Sequence, residues 1–333
     1  MAVTLKDIAE KAGVSISTVS IVVNKKTHRI PDKTRNAILK IAEEMNYTPN
    51  QNAVGLSTKR TMRIGVLVDD ISNAYHSEIA KGAEAEAEKH AYSTLLTNVY
   101  TTNRRPITHC FGKLIENGAD GFILAIASND VADGVDGQVE QMQAEGKPVV
   151  FIGKPFSYIE APDIELDHER GGYLATKHLL KKGHKKVGCI TGPMGYAHSR
   201  LSGYITALQE YGLKFDTNLI YDGNYRWDSG YLGAKTLIPK GVSAIFACND
   251  LMAYGVSQYA MEEEISIPDQ LALVGYDDLP FSKLMPVPLT SIRQPAFEIG
   301  VKACQTVLDM ISRNSVMAED YHFKPELIVR KSA

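Results

Sequence analysis

The chain has 333 residues, 44% hydrophobic and 23% charged, the composition of an ordinary globular protein in two or three compact units. No apolar run approaches the ~20 residues of a membrane helix. The polar N-terminal stretch gives no expectation of an export signal, and Cys110, Cys189, Cys248 and Cys304 are scattered without metal-ligand spacing, so buried thiols in a cytoplasmic protein are expected. Net charge is only −3 but lopsided: residues 1–60 hold ten Lys or Arg against five Asp or Glu, +5, which leaves −8 for the remainder and marks the first end alone for a polyanion partner.

Thr4, with Asp7 in the following turn, reads as an N-cap. Leu5, Ile8, Ala9 and Ala12 recur at helical spacing, so a short amphipathic helix is expected over 5–12. Gly13 ends it, because a left-handed residue is cheap only for glycine. Ser15 and Ser17 can cap a second helix, about 16–24, in which Val19, Val22 and Val23 share a face. Two short helices about a tight glycine turn describe a helix-turn-helix. A third helix starts at Asp32 and turns Ile38, Ile41, Ala42 and Met45 inward.

The stretches TLKDIAEKAGVS, STVS, VVN, TRNAILKIAEEMNYTPN and NAVGLST make residues 1–48 resemble the DNA-binding headpiece of the lactose/galactose repressor family of bacterial regulators. The resemblance implies that the second helix enters a major groove. Ile16, Ser17 and Ile21 are then the expected base readers, able to meet a thymine methyl or accept a hydrogen bond. The family often carries arginine where Ile21 stands, so its operator sequence does not carry over. Thr18, Ser20, Asn24, Lys25 and His28 are expected at phosphates, which position rather than specify. Residues 49–61 are implied to be a hinge helix formed on DNA, with Leu56 wedged between base steps of the minor groove and Ala53 small enough to allow it. Gly55 departs from the usual polar residue and weakens that helix by up to ~1 kcal/mol. Thr4, Ser15 and Asn50 complete the expected DNA-contacting set.

From Met62 onward strands and helices alternate: MRIGVLVDD, STLLTNV, DGFILAIA, KPVVFIG, PDIELD, KKVGCITG, SAIFACND and LALVGYDD read as strands, with helical stretches between. Continuous apolar strands in such units predict parallel sheets covered on both faces. About ten strands are too many for one comfortable sheet, so two sheets side by side are expected. Ligands of these sheets bind beyond the strands' carboxyl ends. Polar and aromatic residues gather there, which is the make-up of a pocket for a small polar molecule.

The stretches ISNAYHSEIAKGAE, DHERGGYLATKHLLKKGHKKVGCITGP, FACNDLMAYG, VGYDDLPFS and PLTSIRQP extend the resemblance through residues 62–330, to the family's effector domain and to periplasmic sugar-binding proteins. The implied fold is α/β: a small all-α helix-turn-helix headpiece plus a two-subdomain parallel α/β effector domain like a periplasmic binding protein. Its N-subdomain is expected at about 62–158 and 289–319 and its C-subdomain at about 159–288 and 320–333, with crossovers near 155–162, 286–294 and 318–322. Arg200 matches the family's sugar-contacting arginine, Asn249 and Asp277 match strand-end residues that bond ligand hydroxyls, and Tyr225 matches a stacking aromatic. Tyr75 and Phe281 are candidates for the other face of a sugar ring, with Asn73, Asn129 and Gln294 as further contacts.

No phosphate-binding loop, dinucleotide fingerprint, nucleophile elbow or zinc motif occurs, so no enzymatic activity, cofactor or metal is expected. The expectation is a homodimeric transcriptional regulator, acting as a repressor. It would read a near-palindromic operator, with affinity set by a sugar or phosphosugar between the subdomains. LIVRKSA carries no heptads, which favours dimer over tetramer. Two other readings stay open: a catabolite-control type with a phosphorylated carrier protein as corepressor, and a purine-responsive repressor.

Overall fold

The computed structural model describes residues 3–23, 30–45, 47, 60–99, 105–126, 134–154, 159–193 and 196–333. The chain divides into two compact units, Met1–Met62 and Arg63–Ala333.

The first unit contains three described helices, α1 (Leu5–Ala12), α2 (Ile16–Val23) and α3 (Asp32–Glu44). Thr4 and Asp7 form a reciprocal capping box: the Asp7 amide donates to Thr4 Oγ1, and Asp7 Oδ2 accepts from the Thr4 amide at 2.7 Å. Gly13, at φ 63°, takes the left-handed turn that closes α1. Ser15 Oγ accepts from the Thr18 amide at 3.2 Å and so caps α2, while Ser17 lies in its first turn. Ile8, Ala9, Val19, Val22 and Ile38 form the buried centre, and Ile41, Ala42 and Met45 pack against it. The outward face of α2 is unusual for a helix this short. Ile16 and Ile21 stay 49% and 38% exposed beside exposed Ser17, while Thr18 and Ser20 are half-buried. The other expected DNA contacts, Asn24, Lys25, His28, Asn50, Ala53 and Leu56, lie outside the described residues, as does nearly all of the expected hinge helix.

The second unit holds two six-stranded sheets. The first, in the order β11-β5-β4-β3-β1-β2, comprises β1 (Arg63–Val68), β2 (Ser93–Asn98), β3 (Gly121–Ala125), β4 (Val149–Ile152), β5 (Asp163–Leu166) and β11 (Tyr321–Phe323). The second, in the order β12-β10-β9-β8-β6-β7, comprises β6 (Val187–Thr191), β7 (Ile220–Asp222), β8 (Ala244–Ala247), β9 (Ala272–Asp277), β10 (Thr290–Arg293) and β12 (Glu326–Ile328). All pairings are parallel except β10 with β12. The central strands are buried end to end, as their unbroken apolar runs predict. Helices α4 (Ala74–Lys89), α5 (Ile107–Glu116), α6 (Val135–Ala144) and α11 (Ala296–Arg313) accompany the first sheet, and α7 (His168–Lys181), α8 (Tyr196–Glu210), α9 (Trp227–Leu237) and α10 (Asp250–Glu262) the second.

The chain passes between the sheets at Asp167, at Gln294–Pro295 and at Lys324–Pro325. Asp167 and Lys324–Pro325 fall beyond the expected 155–162 and 318–322, while Gln294–Pro295 falls at the end of the expected 286–294. The strand PDIELD adds to the first sheet instead of opening the second, β10 stays in the second sheet, and the three-residue β11 returns to the first. The expected subdomain boundaries at 158, 288 and 319 move with them.

Candidate functional site

Nearly every parallel strand delivers residues to one cavity at its carboxyl end. Asp69 and Asp70 follow β1, Ile126 follows β3, Gly153 follows β4 and His168 follows β5; Pro193, Asn224–Arg226, Asn249, Asp277 and Gln294 come from the other sheet and its crossover. The cavity holds about 170 Å³, more than ten times the ~10–15 Å³ that admits one water. Ala125, Ile126, Ile152, Ile164 and Leu166 make part of the lining apolar, and charged and amide groups contribute much of the rest. Of the nine sequence-predicted effector residues, Asn73, Tyr75, Arg200, Tyr225, Asn249, Asp277 and Gln294 all line it.

Phe281 does not: it is 65% exposed and absent from the cavity wall. The buried Asp250 carboxylate accounts for this. It accepts from the Leu279 amide at 2.8 Å, Ser282 Oγ at 2.5 Å and Ser291 Oγ at 2.6 Å. That grip turns Leu279 into the core and Phe281 out to the surface. Asn129 lies outside the described residues.

Asn249 and Asn73 have structural work as well. Asn249 Oδ1 caps α10 by accepting from the Met252 amide at 2.9 Å, and its Nδ2 donates to the Tyr225 carbonyl at 2.8 Å. Each end of the amide keeps one further hydrogen-bonding position for a ligand. Asn73 Oδ1 caps α4 through the Tyr75 amide. Tyr225 itself sits at φ 63° with its ring against Gly192, where a Cβ would lie 2.0 Å from the ring.

Arg200 and Asp277 are the buried charges of the wall, 6% and 7% exposed. Arg200 Nη1 donates to the Cys248 carbonyl at 2.5 Å, and the guanidinium lies 3.9 Å from the centre of the Tyr276 ring. Burial opposes its charge, yet the guanidinium titrates above the ordinary arginine value and stays protonated. Asp277 Oδ1 accepts from Gln294 Nε2 at 2.5 Å. Burial pushes the Asp277 carboxyl up to about 6 against the opposing pull of Arg200 and Gln294. Gln294 is 5% exposed, and its Oε1 has no hydrogen-bond partner among the described residues. The wall therefore offers a cationic fork at Arg200 and an acceptor pair at Asp277 and Gln294. That combination suits a small molecule carrying several hydroxyls.

Sequence reasoning passed over His168 and Tyr276; His76 and Asp250 were among the polar residues gathered at strand ends but were not carried into the expected effector set. His76 and His168 are both held neutral, burial being the main cause. His168 stands two residues beyond the end of β5, a position that was itself a signal. Tyr276 lies inside an apolar strand and reads as core.

Residues 4–50 match the family model of bacterial regulatory proteins, lacI family, and residues 176–333 that of the periplasmic binding protein-like domain. Over 337 residues the sequence is 34% identical to the HTH-type transcriptional regulator DegA of Bacillus subtilis, covering 100% of this chain and 98% of that protein. The chain belongs to the LacI family. This LacI-family protein is also 31% identical to the ribose operon repressor of Haemophilus influenzae, over 99% of this chain and 98% of the other. The solved Lac repressor dimer bound to operator and the anti-inducer ONPF matches with a TM-score of 0.86 at 26% identity, covering 100% of this chain and 99% of that one. As a LacI-family member the protein is a DNA-binding transcriptional repressor with a ligand-binding body, and its relatives are regulators rather than enzymes. No helix among the described residues is long and apolar enough to cross a membrane.

Proposed function

We propose that this LacI-family repressor controls a carbohydrate-utilisation operon and that a sugar or phosphosugar in the body's cavity sets its operator affinity. The observation that carries the reading is the cavity wall. Arg200 supplies a fork of donors, Asp277 and Gln294 supply acceptors, and Tyr75, Tyr225 and apolar side chains line the same cavity. A pyranose or furanose ring has the same division, hydroxyls at its edge and C–H faces above and below. In the headpiece, the exposed stripe of Ile16, Ser17 and Ile21 supports base reading through thymine methyls and a single hydroxyl. Exposed Phe281 and Leu284, at 65% and 70%, support a homodimer that buries them.

The test is thermal unfolding of the full chain with D-ribose, D-galactose, D-glucose, cellobiose, glucose 6-phosphate and hypoxanthine in turn. A ligand at about 100 times its Kd adds roughly 2.7 kcal/mol, several degrees for a body of this size. A sugar hit supports the reading. Stabilisation by hypoxanthine alone would move the effector to the purines, and no shift with any of them would refute a sugar effector.

A further inference from the structure

Arg200 does not hold its place through an acid. No ion pair joins it to Asp277 among the described residues, although the two charges influence each other's titration. What surrounds the guanidinium is a set of neutral buried groups. The Cys248 carbonyl takes an Nη1 proton. The guanidinium carbon stands over the Tyr276 ring, 3.9 Å from its centre. His168 Nδ1 stands 3.4 Å from both Nε and Nη2, and 3.0 Å from the Tyr276 hydroxyl.

A guanidinium nitrogen is always a donor, so Nδ1 of His168 facing two of them is an acceptor without a proton. That fixes the tautomer: the ring proton belongs on Nε2. Burial, and next Arg200 itself, keep the imidazole neutral. With Cys248 and His168 each engaging one edge of the guanidinium, one N–H on each terminal nitrogen remains for a ligand.

The backbone is shaped to permit this cluster. His168 is the first residue of α7, and Asp167 Oδ1 caps that helix by accepting from the Arg170 amide at 2.8 Å. A Cβ on Gly171 would stand 2.4 Å from the Tyr276 hydroxyl, and one on Gly172 would stand 2.0 Å from the Arg200 carbonyl oxygen. Only glycine at both positions lets Tyr276 and the Arg200 backbone come up to the start of α7.

We infer that His168 is a positioning residue for effector recognition: its unprotonated Nδ1, together with the Tyr276 ring and hydroxyl, aims the Arg200 guanidinium into the cavity. The inference rests on the proposed role of Arg200 as an effector contact. The His168–Arg200 bond itself is independent of what the effector is.

The first test therefore needs no effector. Side-chain ¹H–¹⁵N NMR of the full chain at pH 7 reports the tautomer of each histidine, and the His168 signals are those lost in His168→Asn. The expected result is the Nε2–H tautomer at His168, with a slowly exchanging Arg200 Nε–H signal, identified by its loss in Arg200→Lys. A proton on Nδ1 would overturn the inference.

The second test compares variants with whichever of the six panel compounds stabilises the wild type. His168→Leu removes the acceptor and should weaken binding about tenfold or more, the scale of one charge-assisted hydrogen bond. His168→Asn, whose side-chain oxygen can stand where Nδ1 stands, should recover most of the loss. Tyr276→Phe keeps the ring under the guanidinium and should fall between. Equal losses in His168→Leu and His168→Asn, with both folded, would reduce His168 to packing and overturn the inference. If His168→Leu does not fold, the Arg200 Nε–H signal decides, persisting in His168→Asn if the inference holds. If no sugar binds the wild type, the sugar reading fails while the tautomer still decides this one.

Discussion

Replacing Asp277 by asparagine should stabilise the body at neutral pH while blunting its response to effector. Asp277 is buried, and its carboxyl titrates at about 6 where an unfolded aspartate titrates at 3.8. At about 1.4 kcal/mol for each pH unit, that gap is worth about 3 kcal/mol. The sign follows from which state prefers the proton. Because the folded value is the higher, no penalty exists below pH 3.8. It grows as the pH rises and is complete above about 6. Asparagine does not titrate, still accepts from Gln294 Nε2, and tolerates the φ of 112° found here. Urea unfolding of wild type and Asp277→Asn at pH 4 and pH 7.5, at one protein concentration, should show the variant gaining about 2.5 kcal/mol over the wild type between the two. In the same variant the Arg200 fork faces an amide instead of a carboxylate across the cavity, so the thermal shift with a binding sugar should shrink. A stability difference that does not change with pH, or a variant less stable at pH 7.5 than at pH 4 relative to wild type, would refute the assignment of a buried, neutralisable carboxylate.

Arg200→Lys keeps the charge but loses the planar fork and the stacking on Tyr276; effector affinity measured by calorimetry should drop by about tenfold or more, with operator binding in a gel-shift assay retained. Gly172→Ala places a Cβ 2.0 Å from a backbone oxygen that no rotamer change can move, so thermal unfolding should report a loss of about 1–3 kcal/mol together with weaker effector binding. Thr4→Ala removes one half of the α1 capping box and should lower headpiece stability by about 1 kcal/mol, read as an earlier melting of its helical signal.

Much of this layout could be read from residue order, and the exceptions share a cause. The apolar runs ending in Asp69, Asn249 and Asp277 located strands, and the rule that ligands lie beyond carboxyl ends then gathered seven cavity residues from positions far apart in the chain. Two of the crossovers that the resemblance implied, 155–162 and 318–322, fall short of the real ones, because no residue pattern marks passages as short as these. The real passage at Asp167 is a single residue between a strand and a helix. A three-residue strand such as β11 has no periodicity to detect. Phe281 shows the same limit at a side chain. Its place after a strand suggested a stacking role, but the direction of that loop is set by Asp250, thirty-one residues earlier, through two bonds that sequence spacing does not reveal. His168 and Tyr276 were missed because their partner is Arg200, and that triad exists only after α7, α8 and β9 have packed.

The corrected crossovers change what the cavity can be expected to do. Two of the three passages between the sheets carry residues bonded to the charged groups of the wall. Asp167 leads directly into His168, which holds Arg200, and Gln294 begins the second crossover and holds Asp277. On the proposed function, a ligand bonded to Arg200 and Asp277 therefore acts on side chains whose partners, His168 and Gln294, lie beside or at the passages from one sheet to the other. Family-scale regulation requires a coupling of only about 1–3 kcal/mol, and a hydrogen bond to a charged group contributes about 1.5–3 kcal/mol. One such bond made in one arrangement of the sheets and lost in the other is sufficient. A chain of intermediate residues across the body is then unnecessary, because the residues that hold Arg200 and Asp277 stand at or next to the passages between the sheets.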